Sequence, residues 1–244
     1  MEASDQSPDC APLAALLYDT GSVPGIDELM GAAEGYGEFT VSHVPAAGEG
    51  WAEVVRDGLT FDLRGLSGGA ALDPPAIAHA VGMQPGDDLA SLRICPGPHL
   101  AGAQRLLPVI RVGAALAMSL SKIGRPRAIC WIPARNAVAP ELFNRAVKPW
   151  LEGGPFPAMA LASLHRMPRG GIGSEGLKFL IGQEFSLVGD TLKGPDHLAR
   201  VAVRLVDWLV AHGPVVEDTE VVLAGTGAVF LEAQTNTSIV ARCA

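Results

Sequence analysis

Short apolar segments separated by glycine and proline make up most of this chain of 244 residues, which contains 29 glycines and 19 prolines. Glycine and proline interrupt helices and strands, so the segments between them can form only short elements. Some segments have the period of two that predicts a strand, and others have the apolar spacing of three to four that predicts a helix. Because the two kinds alternate along the chain, the sequence predicts an α+β fold.

These patterns place the individual strands and helices. Asp73 and Pro74 are typical of a helix N-cap and first turn, and the segment Leu177–Leu187 is interpreted either as one strand or as a bent pair of strands. The other predicted strands are Leu13–Tyr18, Phe39–Val44, Thr60–Leu63, Ala90–Cys95, Ala128–Ile132, Ala158–Leu164, Val221–Leu223, Val229–Leu231 and Ser238–Ala241. The predicted helices are Gly25–Ala33, Pro74–Val81, Leu100–Ile123, Pro140–Leu151 and His197–His212.

A flexible tail, residues 1–11, and two linked α+β halves are predicted. The halves are residues 12–98 and residues 99–244, and the second includes the long helix at 100–123. Similar segments recur in the same order in both halves, for example Gly58 to Phe61 and Gly176 to Phe179. A duplication would explain this order, and so would the common arrangement of α+β chains. If duplicated, each half is expected to be a β-α-β-β-α-β unit of ferredoxin-like type, with antiparallel sheets.

Charge and aromatic content argue against nucleic acid as a partner. The chain has 26 acidic and 18 basic residues, which gives a net charge of -8, and its aromatic content is 5%. Binding to a phosphate backbone requires a basic face, and binding to single strands requires aromatic stacking platforms. The sequence offers neither feature, so no nucleic acid partner is expected.

No membrane partner or export is expected either. The longest apolar stretch, Leu106 to Leu120, is interrupted by Arg111 and is shorter than the roughly 20 residues that span a bilayer. Residues 1–9 contain no basic residue, whereas a signal peptide begins with a basic region. The four cysteines form no C-x-x-C pair, which favours a reducing compartment. The predicted location is the cytoplasm.

The segment from Gly171 to Gly176 matches the pattern G-x-G-x-x-G. In a dinucleotide site these glycines lead from a strand into a helix, whose free N–H groups meet the pyrophosphate. Here the next residues, from Leu177 to Gly182, have the composition of a strand. A loop joining two antiparallel strands is therefore predicted in place of a nucleotide site.

Two further motifs match catalytic patterns in part. Ser119 and Lys122 have the S-x-x-K spacing of penicillin-binding enzymes, but the companion motifs of those enzymes are missing. Cys95 and His99 could form a nucleophile pair or half of a zinc site, but no second ligand pair completes tetrahedral coordination. A lysine at a helix end and a buried strand cysteine are the favoured interpretations, so no metal and no cofactor are expected.

The remaining candidate binding residues are Trp131, His165, Arg166 and Glu184. His165 lies at the end of a predicted strand beside Arg166, opposite the segment that carries Glu184. A hairpin could bring these groups together for acid–base work or anion binding, and a salt bridge at a strand end is the alternative. Trp131, between Cys130 and Ile132, lines a cavity or packs in the core.

Three strings together resemble the bacterial family of domains of unknown function numbered 4261. They run from Ala128 to Pro133, from Val138 to Phe143 and from Glu175 to Glu184. In that family a strand ending in tryptophan precedes a helix led by proline, and a strand of Gly-Leu-x-x-Phe-Gly type with a nearby glutamate follows. The resemblance covers about residues 98–242. It implies a cytoplasmic bacterial α+β protein and carries over no activity, cofactor or catalytic residue.

Two functions are compatible with these observations. No catalytic set is complete, which favours a non-enzymatic protein-interaction module. The alternative is a small-molecule-binding or modest hydrolytic site between the two halves, since clefts between half-domains commonly bind ligands. In that case Trp131, His165, Arg166 and Glu184 are the residues expected to line the site.

Overall fold

The structure is a computed structural model that describes residues 11–84, 86, 88–168, 170–189 and 195–243. The predicted flexible tail lies outside these residues except for Ala11. The described strands are β1 (Ala14–Asp19), β2 (Thr40–His43), β3 (Trp51–Arg56), β4 (Leu59–Arg64), β5 (His79–Val81), β6 (Leu89–Pro96), β7 (Ala128–Trp131), β8 (Asn136–Val138), β9 (Ser163–Arg166), β10 (Ile172–Glu175), β11 (Glu184–Val188), β12 (Thr219–Leu223), β13 (Gly227–Thr235) and β14 (Ser238–Cys243). The described α-helices are α1 (Ile26–Tyr36), α2 (Leu107–Leu120), α3 (Pro140–Leu151), α4 (Ala158–Leu161), α5 (Leu177–Ile181) and α6 (Pro195–His212), and two short 3-10 helices are formed by Pro98–Leu100 and Ile132–Ala134. The α+β prediction is confirmed.

Two compact units divide the chain. The first contains the described residues up to Ile132 together with Ala137–Glu141, and the second contains Pro133–Asn136 and the described residues from Leu142 onward. The division therefore falls later than the predicted boundary between residues 98 and 99. The reason is that α2 packs against β1, β4 and β6, and β7 pairs with β1, so both elements belong to the first unit.

The sheet of the first unit contains eight of the described strands, in the order β2-β3-β4-β6-β1-β7-β8-β5. At its centre β1 runs antiparallel to both β6 and β7. One face is covered by α2, whose residues Ile110, Ala114 and Ala117 are fully buried. On the other face a small apolar cluster is covered by partly buried side chains that include Ile77 and Met83. The cluster consists of Ala15, Leu17, Ala128, Cys130 and Ala137.

The sheet of the second unit contains six of the described strands, in the order β12-β13-β14-β11-β10-β9. Its strands are antiparallel except for β11 and β14, which run parallel. Helix α6 packs against β10 and β12, and its residues Val201, Leu205 and Leu209 are fully buried. Because successive side chains of a strand point to opposite faces, the sheet has one buried face and one face that is open at several positions.

The predicted duplication into ferredoxin-like halves is not confirmed. The segment Gly58 to Phe61 lies in a strand, whereas its predicted counterpart, Gly176 to Phe179, leads into helix α5. The two sheets also differ in strand number and in the parallel pair. The duplication stays a prediction, beside the common order of elements in α+β chains as the other explanation.

Several predicted elements need correction. The predicted helix Pro74–Val81 does not form, because the residues before it run beside β6, where the Ser91 hydroxyl donates hydrogen bonds to the carbonyls of Leu72 and Asp73. Strand β3 lies where the glycines around Trp51 are typical of a turn. The predicted strand at 158–164 begins as helix α4, and the segment 177–187 is helix α5 followed by β11. The long helix begins at Leu107 instead of Leu100.

Candidate functional site

The carboxylate of Glu184 is held by a closed set of hydrogen bonds in the second unit. The hydroxyl of Ser174 donates to its Oε2 at 2.6 Å, and the backbone N–H groups of Gly176 and Lys178 donate to its Oε1 at 2.8 and 2.9 Å. The Ser174 hydroxyl oxygen also accepts from the backbone N–H of Phe185 at 2.9 Å. Glu184 is therefore a structural anchor that fixes the start of α5 on the sheet.

These hydrogen bonds also fix the conformation at the end of the G-x-G-x-x-G segment. The predicted loop between two strands is wrong, because Ile172–Glu175 forms strand β10 and Gly176 is the N-cap of helix α5, which begins at Leu177. The helix has only five residues. The N–H groups that a dinucleotide phosphate would need are already bonded to the chain's own carboxylate, Glu184. The arrangement gives no support to a nucleotide site.

A close contact explains why residue 176 is glycine. Its φ is +94°, and a Cβ atom built there would lie 2.7 Å from the Cα and Cβ atoms of Ala134. Ala134 is held in place because its carbonyl accepts a hydrogen bond from the Ser163 hydroxyl at 2.9 Å. Nearby, Arg135 pairs with Glu175 at 3.2 Å. Any side chain at 176 would therefore have to displace backbone.

The other predicted site residues are not gathered around Glu184. His165 and Arg166 lie on β9, and Glu184 lies on β11, with β10 between them, so the two backbones are about 10 Å apart at the usual strand spacing. The His165 ring lies against the backbone of Gly173, with Nε2 2.8 Å from the position that a Cβ atom would take there. Arg166 is exposed at the strand end. The grouping of these residues into one site stays a prediction.

Trp131 lies in the other unit. It is the last residue of β7, pairs with Ala14 of β1 and is fully buried. This placement fits the core-packing interpretation of the residue. The four candidate residues are thus distributed between the two units, with Trp131 in the first and the other three in the second.

The S-x-x-K residues belong to a hydrogen-bonded cluster in the first unit. The Ser119 hydroxyl donates to Oε2 of Glu38 at 2.6 Å, and Lys122 donates to Oε1 of the same carboxylate at 2.6 Å. Arg56 donates to the Ser119 hydroxyl oxygen and to the carbonyl of Ala115. The hydrogen bonds from Lys122 and Ser119 lower the pKa of Glu38 below its usual value. Since Ser119 is buried and bonded on both sides, it is a structural residue.

The candidate pair Cys95 and His99 also has structural surroundings. Cys95 is buried in strand β6, where it is the register partner of Asp62 on β4. Another buried cysteine, Cys130 of β7, lies among apolar side chains, and burial raises the pKa of its thiol to about 12, so the thiolate does not form near neutral pH. The ring of His99 forms a hydrogen bond with the Thr60 hydroxyl at 2.8 Å. In the described part of the chain, no group of three or more His, Cys, Asp or Glu residues could hold a metal ion. Among the helices of that part, none is long and apolar enough to cross a membrane.

Exposed apolar side chains of the second unit lie on and beside strand β12. Val222 is 77% exposed, and Phe230, its diagonal neighbour on β13, is 41% exposed. In the same row of the sheet, Phe230 pairs with Arg242 and Arg242 pairs with Val188, which is also exposed. Val188 in turn lines a concavity of about 420 Å³ together with Met167, Pro168 and Gly170. These residues form an apolar strip across the open face of the sheet. The strip also contains charged residues: Glu220 is the exposed register partner of Phe230, and Arg242 pairs with Glu232 at 3.3 Å.

Strand β12 is also an edge of this sheet. Within the described residues it has a strand on one side only, β13. The segment that leads into it is fixed, because the buried side chain of Gln183 bonds to both the N–H and the carbonyl of Val215, at 2.8 and 2.9 Å. The next residue, Val216, is 85% exposed. The sequence predicts the strand at Val221–Leu223, but the alternation of its side chains does not reveal which strand lies at the edge.

Comparison of the chain with family models, with curated proteins and with solved structures gave no match. The resemblance to the family of domains of unknown function numbered 4261 therefore stays a prediction.

Proposed function

We propose that the chain is a non-enzymatic protein-interaction module, and that its second unit binds an extended segment of another protein along strand β12. The observation that carries this proposal is the edge position of β12 combined with the exposure of Val222. The edge of a sheet presents backbone N–H and carbonyl groups to which a further strand can pair. Exposed apolar side chains beside such an edge supply contact area for the side chains of the added strand.

The apolar strip supports the same mode of binding. An added strand next to β12 would place every second side chain on the open face, beside Val222. Burying a valine side chain contributes about 1.5 to 3 kcal/mol relative to leaving it exposed. Val222 is therefore expected to contribute more to binding than its polar neighbours.

The charges beside the edge favour a basic partner. Glu217, Asp218 and Glu220 are all exposed in the segment that contains β12, and the whole chain has a net charge of -8. A second copy of the chain would bring the same three carboxylates to the edge, and like charges across an interface are unfavourable. A segment that alternates lysine or arginine with apolar residues complements both the charge and the strand period.

The test uses the full chain and two synthetic peptides of seven residues, one alternating lysine with valine and the other alternating glutamate with valine. Backbone amide shifts in NMR spectra locate the binding, and titration gives the Kd. The lysine–valine peptide is expected to shift the amide signals of Thr219–Leu223 and to bind more tightly than the glutamate–valine peptide. Val222→Ser should weaken its binding about tenfold or more, because the buried apolar area is lost.

Leu106→Ser is the matched control, since Leu106 is also exposed but lies in the first unit, and it should leave the Kd unchanged. Binding that shifts other residues, or that is equally weakened by both substitutions, would contradict the proposal. Equal binding of the two peptides would exclude a basic partner. Self-association that Val222→Ser abolishes, measured by sedimentation, would assign the edge to a second copy.

The alternative function, a small-molecule-binding or hydrolytic site that involves Trp131, His165, Arg166 and Glu184, stays a prediction. The described contacts do not add support to it, because the Glu184 carboxylate is bonded to Ser174, Gly176 and Lys178.

A further inference from the structure

Two arginines lie directly opposite each other on neighbouring strands of the first unit. Arg64 of β4 and Arg93 of β6 are register partners, and both are partly exposed. Like charges in directly opposite positions of a sheet are destabilising. The stability of the sheet therefore does not explain why both of these paired positions carry arginine.

The row of side chains that contains these arginines begins with an aromatic ring. Trp51 of β3 pairs with Arg64, and on the far side Ala15 of β1 pairs with Arg93. The indole N–H of Trp51 donates a hydrogen bond to the Glu49 carboxylate at 3.0 Å. Paired residues of antiparallel strands present their side chains on the same face. One face of the sheet thus carries an indole and two guanidinium groups side by side.

Hydrogen bonds to the described residues use only a small part of the two guanidinium groups. Arg64 donates from Nη2 to the Asp62 carboxylate at 3.1 Å, and Arg93 donates from Nη2 to the backbone carbonyl of Asp73 at 3.1 Å. Each guanidinium carries five N–H donors. Among the described residues, the Nε atoms of both arginines are buried without a hydrogen-bond partner, which is unfavourable for a polar group.

In the described part of the chain, the neighbouring carboxylates form an ion pair with one of the two arginines. Asp62 contacts one of the two arginines, Arg64. Glu53 is the register partner of Asp62, but its Oε1 accepts a hydrogen bond from the hydroxyl of Ser42 at 2.6 Å. Among the described residues Arg93 makes no ion pair with a carboxylate, so its guanidinium keeps N–H donors for an anion.

We propose that Arg64 and Arg93 bind a small molecule that carries an oxyanion, either a phosphate or a carboxylate, with its apolar part against the indole of Trp51. The planar guanidinium fork matches both oxyanions through two parallel hydrogen bonds. Binding requires the guanidinium groups to turn, so that their Nε and Nη edges face the anion. This site lies in the first unit and is independent of the edge strand β12.

The experiment measures the binding of phenyl phosphate, benzoate and inorganic phosphate to the full chain by NMR titration at low salt. Phenyl phosphate or benzoate is expected to shift the indole signal of Trp51, which Trp51→Phe assigns by removing it. Arg93→Gln should weaken this binding at least tenfold, and Arg93→Lys should weaken it less, because the charge stays while the fork is lost. Whichever of phenyl phosphate and benzoate binds more tightly identifies the oxyanion as phosphate or carboxylate.

Arg127→Gln is the control, because Arg127 is an exposed arginine of the same unit that pairs with Asp19, and it should leave binding unchanged. Urea unfolding of each variant shows that it is folded before titration. Three outcomes would overturn the proposal: no binding of any of the three probes, equal weakening by Arg93→Gln and Arg127→Gln, or shifts confined to residues away from Trp51.

Discussion

The Glu184 network of the second unit and the arginine pair of the first unit differ in how far their polar groups are satisfied. The Glu184 carboxylate accepts three hydrogen bonds from one short stretch of chain. Arg64 and Arg93 use Nη2 for hydrogen bonds within the chain, and their two positive charges lie directly opposite each other on neighbouring strands. A network whose polar groups bond to each other stabilises the fold. Arginines whose N–H groups are only partly hydrogen-bonded within the chain can still donate to a ligand. Substitutions in the two regions should therefore affect different quantities.

Glu184→Ala is expected to have the largest effect on stability. It removes the acceptor of three hydrogen bonds and leaves the N–H groups of Gly176 and Lys178 without it. Hydrogen bonds to charged groups contribute about 1.5 to 3 kcal/mol each and are not additive, so the free energy of unfolding should fall by about 3 to 4 kcal/mol. Urea unfolding at neutral pH measures this change.

The control for this substitution is Glu152→Ala, at an exposed position of the same unit. It should change the free energy of unfolding by less than about 0.5 kcal/mol. If the free energy of unfolding falls equally in the two variants, the hydrogen bonds of Glu184 do not stabilise the fold, and the Glu184 network does not differ from the arginine pair in this respect.

Gly176→Ala should have the next largest effect. Its φ of +94° disfavours any side chain, and the new Cβ would meet Ala134 at 2.7 Å. Gly153 is a matched control, because its φ is +97° and nothing lies within 4 Å of a Cβ there. Gly153→Ala should cost about 1 kcal/mol and Gly176→Ala about 2 to 3 kcal/mol. Equal losses in urea unfolding would show that the contact with Ala134 is not tight.

Glu38→Gln tests whether a carboxylate bonded within the chain stabilises the fold in a pH-dependent way. Hydrogen bonds from Lys122 and Ser119 lower the pKa of Glu38 in the folded state, so the unfolded state binds the proton more readily. The stabilisation is therefore complete above the ordinary glutamate pKa of about 4.3 and is lost as the pH falls through the lower, folded-state pKa. Because Glu38 is partly exposed, the loss at pH 7 should be about 1 to 2 kcal/mol.

Urea unfolding of wild type and Glu38→Gln at pH 7 and at about pH 3 measures that dependence. The difference between the two proteins should shrink at the acidic pH. Glu34→Gln, at an exposed position of the same unit, should show no such dependence. A difference that stays constant with pH would mean that the charge of Glu38 is not what stabilises the cluster.

Local sequence signals predict the elements whose own residues determine them. Helix α3 has the predicted bounds, Pro140–Leu151, because proline at its start and an amphipathic pattern are both local. Strand β3 is not predicted, although Ala52 and Val54 are buried at a spacing of two, because the glycines around it are typical of a turn. The false helix at Pro74–Val81 shows that N-cap residue types do not outweigh hydrogen bonds to a neighbouring strand.

The candidate sites depend on contacts between distant residues. The pairing of Arg64 with Arg93 requires β4 and β6 to be neighbours, and no local pattern determines that register. The same holds for β12, whose edge position follows from the order of the whole sheet. The sequence does identify Glu184 as a residue of interest, but its partners become visible only once α5 is recognised as a helix.

Arg93→Gln is expected to have the smallest effect on stability and so completes the comparison. It removes one hydrogen bond to a backbone carbonyl and also removes the repulsion with Arg64, so the free energy of unfolding should change by less than about 0.5 kcal/mol. Arg56→Gln is the matched variant, because Arg56 bonds to Ser119 and Ala115, and it should cost about 1 to 2 kcal/mol. If urea unfolding gave the larger loss for Arg93→Gln, Arg93 would be a structural residue. The arginine pair and the hydrogen-bonded networks would then both contribute to the free energy of unfolding, and this measurement would not distinguish them.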